Sequence, residues 1–298
     1  MKPRITAVGE ILWDVYPDKK RLGGAPFNFI YHVWKIIGNA KFISSIGNDE
    51  NGIEILDLLN VKGFPIEHIK IDKHNPTGTV TVKLNEDKTP GFNISAECSY
   101  DYLVLDEDSK KLIETDTDIL YFGTLSQRSE TSRTTIQSLF GKNIKYFCDL
   151  NLRHDFFSRG MIEKVLIASN VIKVNEYELE KLKKLFGLNE ESSRAMEQLI
   201  RSFNIDLICV TIGDKGALIY DGKEFNKYKA DVKNIVDTVG AGDAFASILC
   251  IGYLKGMELG KINKLANEFA SEICGIEGAL PAIDTIYNKY IREYEDDS

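Results

Sequence analysis

The sequence predicts an α/β fold: a mostly parallel central sheet covered by helices on both faces, with a smaller β-sheet set over it. Three observations predict this. Short apolar runs alternate with segments of helical periodicity along most of the 298 residues, the pattern of strands joined by crossover helices. Two stretches, 11–16 and 79–94, break that rhythm with polar–apolar alternation, as half-buried antiparallel strands do. No linker rich in Pro, Ser or Gly divides the chain, and 43% hydrophobic residues are ample for one core. The expected organisation is a single domain, 1–298, with a β lid formed from about residues 10–24 and 77–101.

Taken in order, Ile5 to Gly9 reads as a strand ending in Gly, and Ile11 to Tyr16 as a first piece of the small sheet. Asn28 to Gly38 has Ile30, Val33, Trp34 and Ile37 on one helical face, with Gly38 as the stop. A strand over Lys41 to Ile46 and a helix over Asn51 to Asn60 follow. Thr79 to Leu84 alternates strictly, a turn is expected from Asn85 to Pro90, and Phe92 and Ile94 continue the alternation as the returning arm of a hairpin. The strand–helix rhythm then resumes. Strands are expected at 119–123, 144–150, 171–174 and 207–212, and helices at 131–140, 161–169 and 176–186. Asp243 to Leu254 is apolar around most of its circumference and reads as a buried helix.

The formal net charge of −8 and the absence of a basic tract disfavour nucleic-acid binding. No run of about 18 apolar residues is present, so no membrane span is expected. Cys98, Cys148, Cys209, Cys250 and Cys274 stand singly, mostly in apolar runs, and read as buried thiols of a reducing, cytoplasmic compartment. The four histidines show no metal-ligand spacing.

The chemistry concentrates in Asp237-Thr-Val-Gly-Ala-Gly-Asp-Ala-Phe245. Gly240 and Gly242 permit a tight turn, and the amides of the helix that follows are unpaired in its first turn and favour anions. Asp243 is then a base beside an anion hole, which suits phosphoryl transfer to a hydroxyl. Asp at a helix start is also a common cap. Other candidates fall at strand–helix junctions, where open parallel sheets bind ligands. Gly24 and Asn28 precede or open a helix, and Asn28 reads either as a cap or as a partner of polyol hydroxyls. Asp14 lies in the small sheet and can accept from neighbouring sugar hydroxyls, or simply face solvent. Asn151 and Arg153 stand beyond a strand, and the Arg suits a phosphate, a polar substrate or a surface ion pair. Asn175 and Glu178 fit a capping box, and equally a polar pair holding waters around Mg²⁺. Thr211, Gly213 and Gly216 mark a turn able to border nucleotide phosphates. No P-loop, dinucleotide fingerprint or protein-kinase signature is present.

Together, Gly23-Gly24 with Asn28, Asn175 with Glu178, Thr211-x-Gly213-x-x-Gly216 and Gly240-Ala-Gly-Asp243 resemble the ribokinase-like (PfkB) family of carbohydrate kinases, in order and spacing along nearly the whole chain. Gly9-Glu-Ile-Leu-Trp-Asp14 and Leu22-Gly-Gly-Ala-Pro-Phe-Asn28 resemble its fructokinase branch. Asp149-x-Asn151-x-Arg153 resembles a motif of fructokinases and 2-keto-3-deoxygluconate kinases. The resemblance implies a three-layer α/β sandwich with a β lid and transfer of the ATP γ-phosphoryl to a primary hydroxyl of a small sugar. It implies Asp243 as base, with the amides of Gly240, Ala241, Gly242 and Asp243 as anion hole. Asp14, Gly24 and Asn28 then hold sugar hydroxyls, and Arg153 bridges sugar and phosphate. Asn175 and Glu178 organise Mg²⁺, Thr211, Gly213 and Gly216 border the nucleotide, and Asn267 lies near the adenine with the Gly278-Ala279 loop adjacent. Asp237 resembles a residue of a monovalent-cation (K⁺) site. The alternatives are a 2-keto-3-deoxygluconate or nucleoside kinase on the same scaffold, or a sugar-binding regulator without catalysis. The exposed alternating hairpin leads to the expectation of a homodimer through the lid.

Overall fold

The computed structural model describes residues 2–84, 90–231 and 235–295. In chain order its strands are β1 (Ile5–Val8), β2 (Leu12–Val15), β3 (Lys20–Gly23), β4 (Ala40–Gly47), β5 (Ile69–Asp72), β6 (Gly78–Leu84), β7 (Pro90–Ile94), β8 (Ile119–Phe122), β9 (Lys145–Asp149), β10 (Val171–Asn175), β11 (Leu207–Thr211), β12 (Ala217–Tyr220) and β13 (Phe225–Tyr228). Its helices are α1 (Ala25–Ile37), α2 (Glu50–Lys62), α3 (Glu107–Thr115), α4 (Glu130–Gln137), α5 (Arg159–Ala168), α6 (Glu176–Phe186), α7 (Ser192–Phe203), α8 (Ala241–Leu254), α9 (Leu259–Cys274) and α10 (Asn288–Glu295).

The larger sheet runs β13-β12-β11-β10-β9-β8-β1-β4-β5. Pairing is parallel from β11 to β5, and β12 and β13 extend the sheet antiparallel. Side-chain parity makes the three layers. On β8, Ile119 and Tyr121 enter one apolar cluster, and Leu120 and Phe122 the other. On β11, Leu207 and Cys209 face the first cluster while Ile208 and Val210 face the second. The first cluster is completed by α1, α2, α8, α9 and α10, and the second by α3 to α7. Burial on both faces explains why these strands read as continuous apolar runs.

A second sheet, β3-β2-β6-β7, stands apart. Its β2–β6 pair is parallel, with Leu12 opposite Gly78, and its hairpin β6–β7 is antiparallel. Leu12, Val80 and Ile94 pack with Cys98 and Tyr100, while Trp13 and Leu22 join the first cluster of the main body. The hairpin turn expected at 85–90 falls outside the described residues for 85–89, as does the side chain of Phe92.

One boundary corrects the sequence reading. Helix α1 begins at Ala25 and not at Asn28, because Gly24 caps it and Pro26 fits its first turn. Asn28 is therefore a helical residue facing inward, not a cap.

Helix α1 is pinned to the sheet by Phe29, which stacks on Tyr121 with ring centroids 3.6 Å apart and planes 6° from parallel. Replacing Phe29 by Ala removes a fully buried ring and should cost about 3–5 kcal/mol. Urea unfolding reads this as a lower midpoint at unchanged slope, and a loss below about 1 kcal/mol would show that α1 is held elsewhere.

Candidate active site

The carboxyl ends of β9, β10 and β11 open into a pocket of about 540 Å³, with α8 entering from one side and the small sheet closing the other. Leu12, Asp14, Val80 and Ile94 come from the small sheet, and Gly24 and Asn28 from the start of α1.

The N-terminus of α8 is the focus. Gly240 caps the helix at φ 80°, a left-handed backbone that glycine adopts without strain. A Cβ at Gly240 would also lie 2.4 Å from the Ala279 methyl. The first helical bond runs from Ala244 N to Gly240 O at 2.9 Å. The amides of Gly242 and Asp243 thus have no partner among the described residues, while the Ala241 amide leans on Thr238 O at 3.4 Å. Gly240 and Gly242 line the pocket, and the helix dipole adds to the attraction for an anion there.

Asp243 sits in this first turn and faces the pocket. Its Oδ2 accepts from Asn28 Nδ2 at 2.8 Å. Burial pushes its carboxyl up to about 7, against the opposing pull of the Asn28 hydrogen bond and of Lys173 and Arg153, while the Asp149 charge pushes it further up. The other amide atom, Asn28 Oδ1, is buried without a partner among the described residues, on a residue that lines the pocket. A buried acceptor left unmade is costly, and a ligand hydroxyl would satisfy it.

Beneath the cradle lies a pair that sequence reading missed. Strand register places Lys173 opposite Asp149, and parity turns both toward α8. Lys173 Nζ donates to Asp149 Oδ2 at 2.7 Å, and Tyr121 Oη donates to the same oxygen at 3.3 Å. Burial alone would depress the Lys173 ammonium, but Asp149 outweighs it and holds Lys173 above its ordinary value. Lys173 Nζ stands 3.4 Å from where a Gly242 Cβ would be, so its charge lies directly under the unpaired amides. The signal was present in sequence: a Lys inside Val171-Ile-Lys-Val174 and an Asp ending Tyr146-Phe-Cys-Asp149 are charges where both faces should be apolar.

Glu178 and Asn175 form the expected capping box at the start of α6. Glu178 N donates to Asn175 Oδ1 at 2.9 Å, and Asn175 N to Glu178 Oε2 at 2.9 Å. Glu178 Oε1 also accepts from Leu152 N at 2.8 Å, so the box fixes the loop that carries Arg153. Burial, reinforced by Asp149, raises the Glu178 carboxyl. Asn175 and Glu178 both line the pocket, and their oxygens suit a hydrated Mg²⁺ arriving on phosphates.

At the small-sheet end, Asp14 lies over Gly23, and burial raises its carboxyl to about 6 against the pull of Arg153 and Arg21. Glu10, unremarked in sequence, lines the pocket beside it and accepts from Ser126 Oγ. Burial raises its carboxyl too. The Arg153 side chain lines the pocket and makes no hydrogen bond or ion pair among the described residues. Asn151 and His154 beside it adopt φ values of 42° and 47°, a strained backbone of the kind that gathers at ligand sites.

Some expected residues are elsewhere. Thr211 lines the pocket, but Gly213 and Gly216 do not. Gly216 instead packs where any Cβ would lie 1.9 Å from Tyr228 O, which makes it a spacer between β12 and β13. Asn267 is buried on α9 and turns its amide onto Asn263 O and Oδ1, each at 2.8 Å, away from the pocket. Asp237 accepts from nitrogen donors: Arg21 Nη1 at 2.8 Å, Gly278 N at 3.0 Å and Val239 N at 3.1 Å.

The chain and its fold are similar to several known kinases. The chain is 29% identical to an ATP-dependent 6-phosphofructokinase of Thermoanaerobacterium thermosaccharolyticum, over 96% of the chain and 93% of that protein. It is 25% identical to a fructokinase of Salmonella typhimurium over 83% of each. An uncharacterized sugar kinase from Pyrococcus horikoshii, solved in complex with ATP, superposes with a TM-score of 0.83 at 26% identity, over 97% of this chain and 99% of that one. A fructokinase variant from Vibrio cholerae, solved with fructose, ADP and a potassium ion, has the same fold, with a TM-score of 0.79 at 21% identity over 98% of each chain. The model of the pfkB family of carbohydrate kinases matches residues 9–286, nearly the whole of the sheet and site described above, and the chain belongs to that family.

Proposed function

We propose that this sugar kinase transfers the γ-phosphoryl group of ATP to a primary hydroxyl of a small neutral sugar, with fructose the best fit. The observation that carries the reading is the Asp243 carboxylate, oriented by Asn28 in the first turn of α8 beside unpaired amides and above the Lys173 charge. Asp243 takes the proton of the sugar hydroxyl as its oxygen attacks the γ-phosphorus, and the bond to the bridging oxygen of ADP breaks. The amides of Gly242 and Asp243 and the ammonium of Lys173 stabilise charge on the moving group. Mg²⁺ bound with ATP would neutralise phosphate charge, with Asn175 and Glu178 holding it through water. Asn28 Oδ1 and Asp14 accept hydroxyls of the sugar, Gly24 lets the chain approach it, and Arg153 spans from the sugar toward the phosphates. Thr211 borders the nucleotide. The small sheet acts as a lid that excludes water and limits wasteful ATP hydrolysis.

Charge argues for a neutral acceptor over a phosphorylated one. The lid end of the pocket carries the carboxyls of Asp14 and Glu10, with Arg153 in the pocket, Arg21 acting on Asp14 and Arg128 on Glu10. A sugar phosphate placed there would meet two acidic groups. The same balance disfavours a keto acid. We also propose that the enzyme is cytoplasmic, with its free thiols buried, and that two copies pair through the lid edge. Among the described residues no helix is long and apolar enough to cross a membrane.

Four outcomes are expected. With ATP and a panel of ketoses, aldoses, sugar phosphates, keto acids and nucleosides, turnover should be greatest on fructose, and a preference for a sugar phosphate would refute the neutral-acceptor reading. Asp243→Asn should lower kcat about a hundredfold or more while ATP still binds by calorimetry, so near-normal turnover removes Asp243 as the base. Because Asp243 acts in its ionised form and burial holds it up to about 7, kcat/KM should rise as pH climbs through about 7. Asn28→Ala removes a hydrogen bond that lowers this value, so its rising limb should move to higher pH, and an unmoved limb would assign the titration to another group.

A further inference from the structure

Arg21 projects from β3, opposite Asp14 on β2. Its Nη1 pairs with Asp237 Oδ2 at 2.8 Å, both side chains being 19% exposed, and its Nη2 pairs with Glu277. The guanidinium lies 5.2 Å from the Tyr16 ring centroid, and its Cδ is 3.2 Å from where a Gly278 Cβ would be. The lid strand is thereby tied to two loops at once. Asp237 begins the turn that delivers Gly240, and its backbone is fastened to α9 through the Cys274 carbonyl. Ala279, one residue beyond Gly278, is the residue jammed against Gly240. A continuous path of contacts therefore runs from lid to phosphate cradle, with Arg21 at its centre.

The same contacts decide what Asp237 can hold. A monovalent cation is bound by oxygens that replace its hydration shell. The Asp237 carboxylate already accepts from one guanidinium and two backbone amides, which take three of its roughly four lone-pair sites. Little of it is left for a potassium ion, and Arg21 supplies the positive charge such an ion would bring. Three carboxylates, Asp14, Asp237 and Glu277, lie about this guanidinium; Lys19 also pairs with Glu277 and Arg153 also attracts Asp14, so removal of Arg21 would leave chiefly the Asp237 charge without its cation beside the phosphate cradle.

We propose that Arg21 is the built-in cation of this kinase: it fastens the lid to the phosphate cradle through Asp237 and makes nucleotide binding independent of monovalent ions. The proposal rests on the cradle being the phosphate site, but not on which sugar is the acceptor.

The test is calorimetric binding of MgATP to the full chain in choline chloride and in potassium chloride, at equal ionic strength of about 0.1 M. Wild type should bind equally in both, within about twofold, and Arg21→Lys should do the same. Arg21→Gln should bind at least about tenfold more weakly in choline and recover most of that loss in potassium. Potassium dependence of the wild type, or Arg21→Gln binding like wild type in choline, would overturn the proposal. Weak binding by Arg21→Gln that potassium does not restore would reduce Arg21 to a structural tie and overturn its role as a cation. If Arg21→Gln does not fold, Arg21→Lys decides: a potassium requirement there sinks the idea, and ion-independent binding sustains it. The wild type is assayed on the sugar panel in parallel, so that failure of the substrate reading shows as lost turnover with the binding pattern intact.

Discussion

The ion pair between Lys173 and Asp149 is the constraint around which the site is organised. It lies on the α8 side of the sheet, where the neighbouring strand residues Val171 and Phe147 are fully buried. Two charges at such depth are tolerable only when each satisfies the other, and removing one partner would strand an uncompensated charge. Tyr121 adds a third group and is itself clamped by Phe29. The consequence is a fixed positive charge at the carboxyl edge of the sheet, in place before any ligand arrives. An α8 terminus set directly above it gains most from a bound anion, since both the helix dipole and the ammonium then face the same guest.

The base and the cradle are held by opposing effects. Burial makes the Asp243 carboxylate reluctant to ionise, whereas Asn28, Lys173 and Arg153 favour its charge. The balance leaves a group able to accept a proton near neutrality, which an exposed aspartate would do poorly. Glycine supplies the geometry. At Gly240 both the left-handed backbone and the Ala279 methyl exclude any larger residue, so the turn cannot drift without displacing the neighbouring loop.

Much of this was legible in sequence because it is local. Parallel strands buried on both faces announce themselves as apolar runs, and Asn175 with Glu178 formed the box that their spacing requires. Asp14, Gly24, Asn28, Arg153, Thr211 and Asp243 all line one pocket, although more than two hundred residues separate the first from the last. What escaped depends on the third dimension. Lys173 and Asp149 matter only because register sets them side by side. Glu10 stands just past the strand read at Ile5 to Gly9, and its burial against Ser126 is a tertiary fact. Asn267 was placed by resemblance, but its helix turns it onto Asn263. Helices α3, α7 and α10 escaped although they are amphipathic, with apolar residues at helical spacing such as Ala195, Met196 and Leu199 on α7. The pairing of Arg21 with Asp237 spans 216 positions and leaves no trace in spacing.

The small sheet also bears on how the chain assembles. Strand β2 hydrogen-bonds in parallel to β6, and α1, β4, α2 and β5 intervene between them. Those intervening elements belong to the main sheet and its helical cover, so the β2–β3 hairpin has no further strand to pair with until that body has condensed and brought β6 alongside. Closing so long a loop is slow, and a strand edge left waiting is open to association with other chains. During synthesis β2 and β3 emerge well before β6 yet complete their sheet late, which makes this hairpin the point at which chaperone capture, or misassembly between nascent chains, would begin.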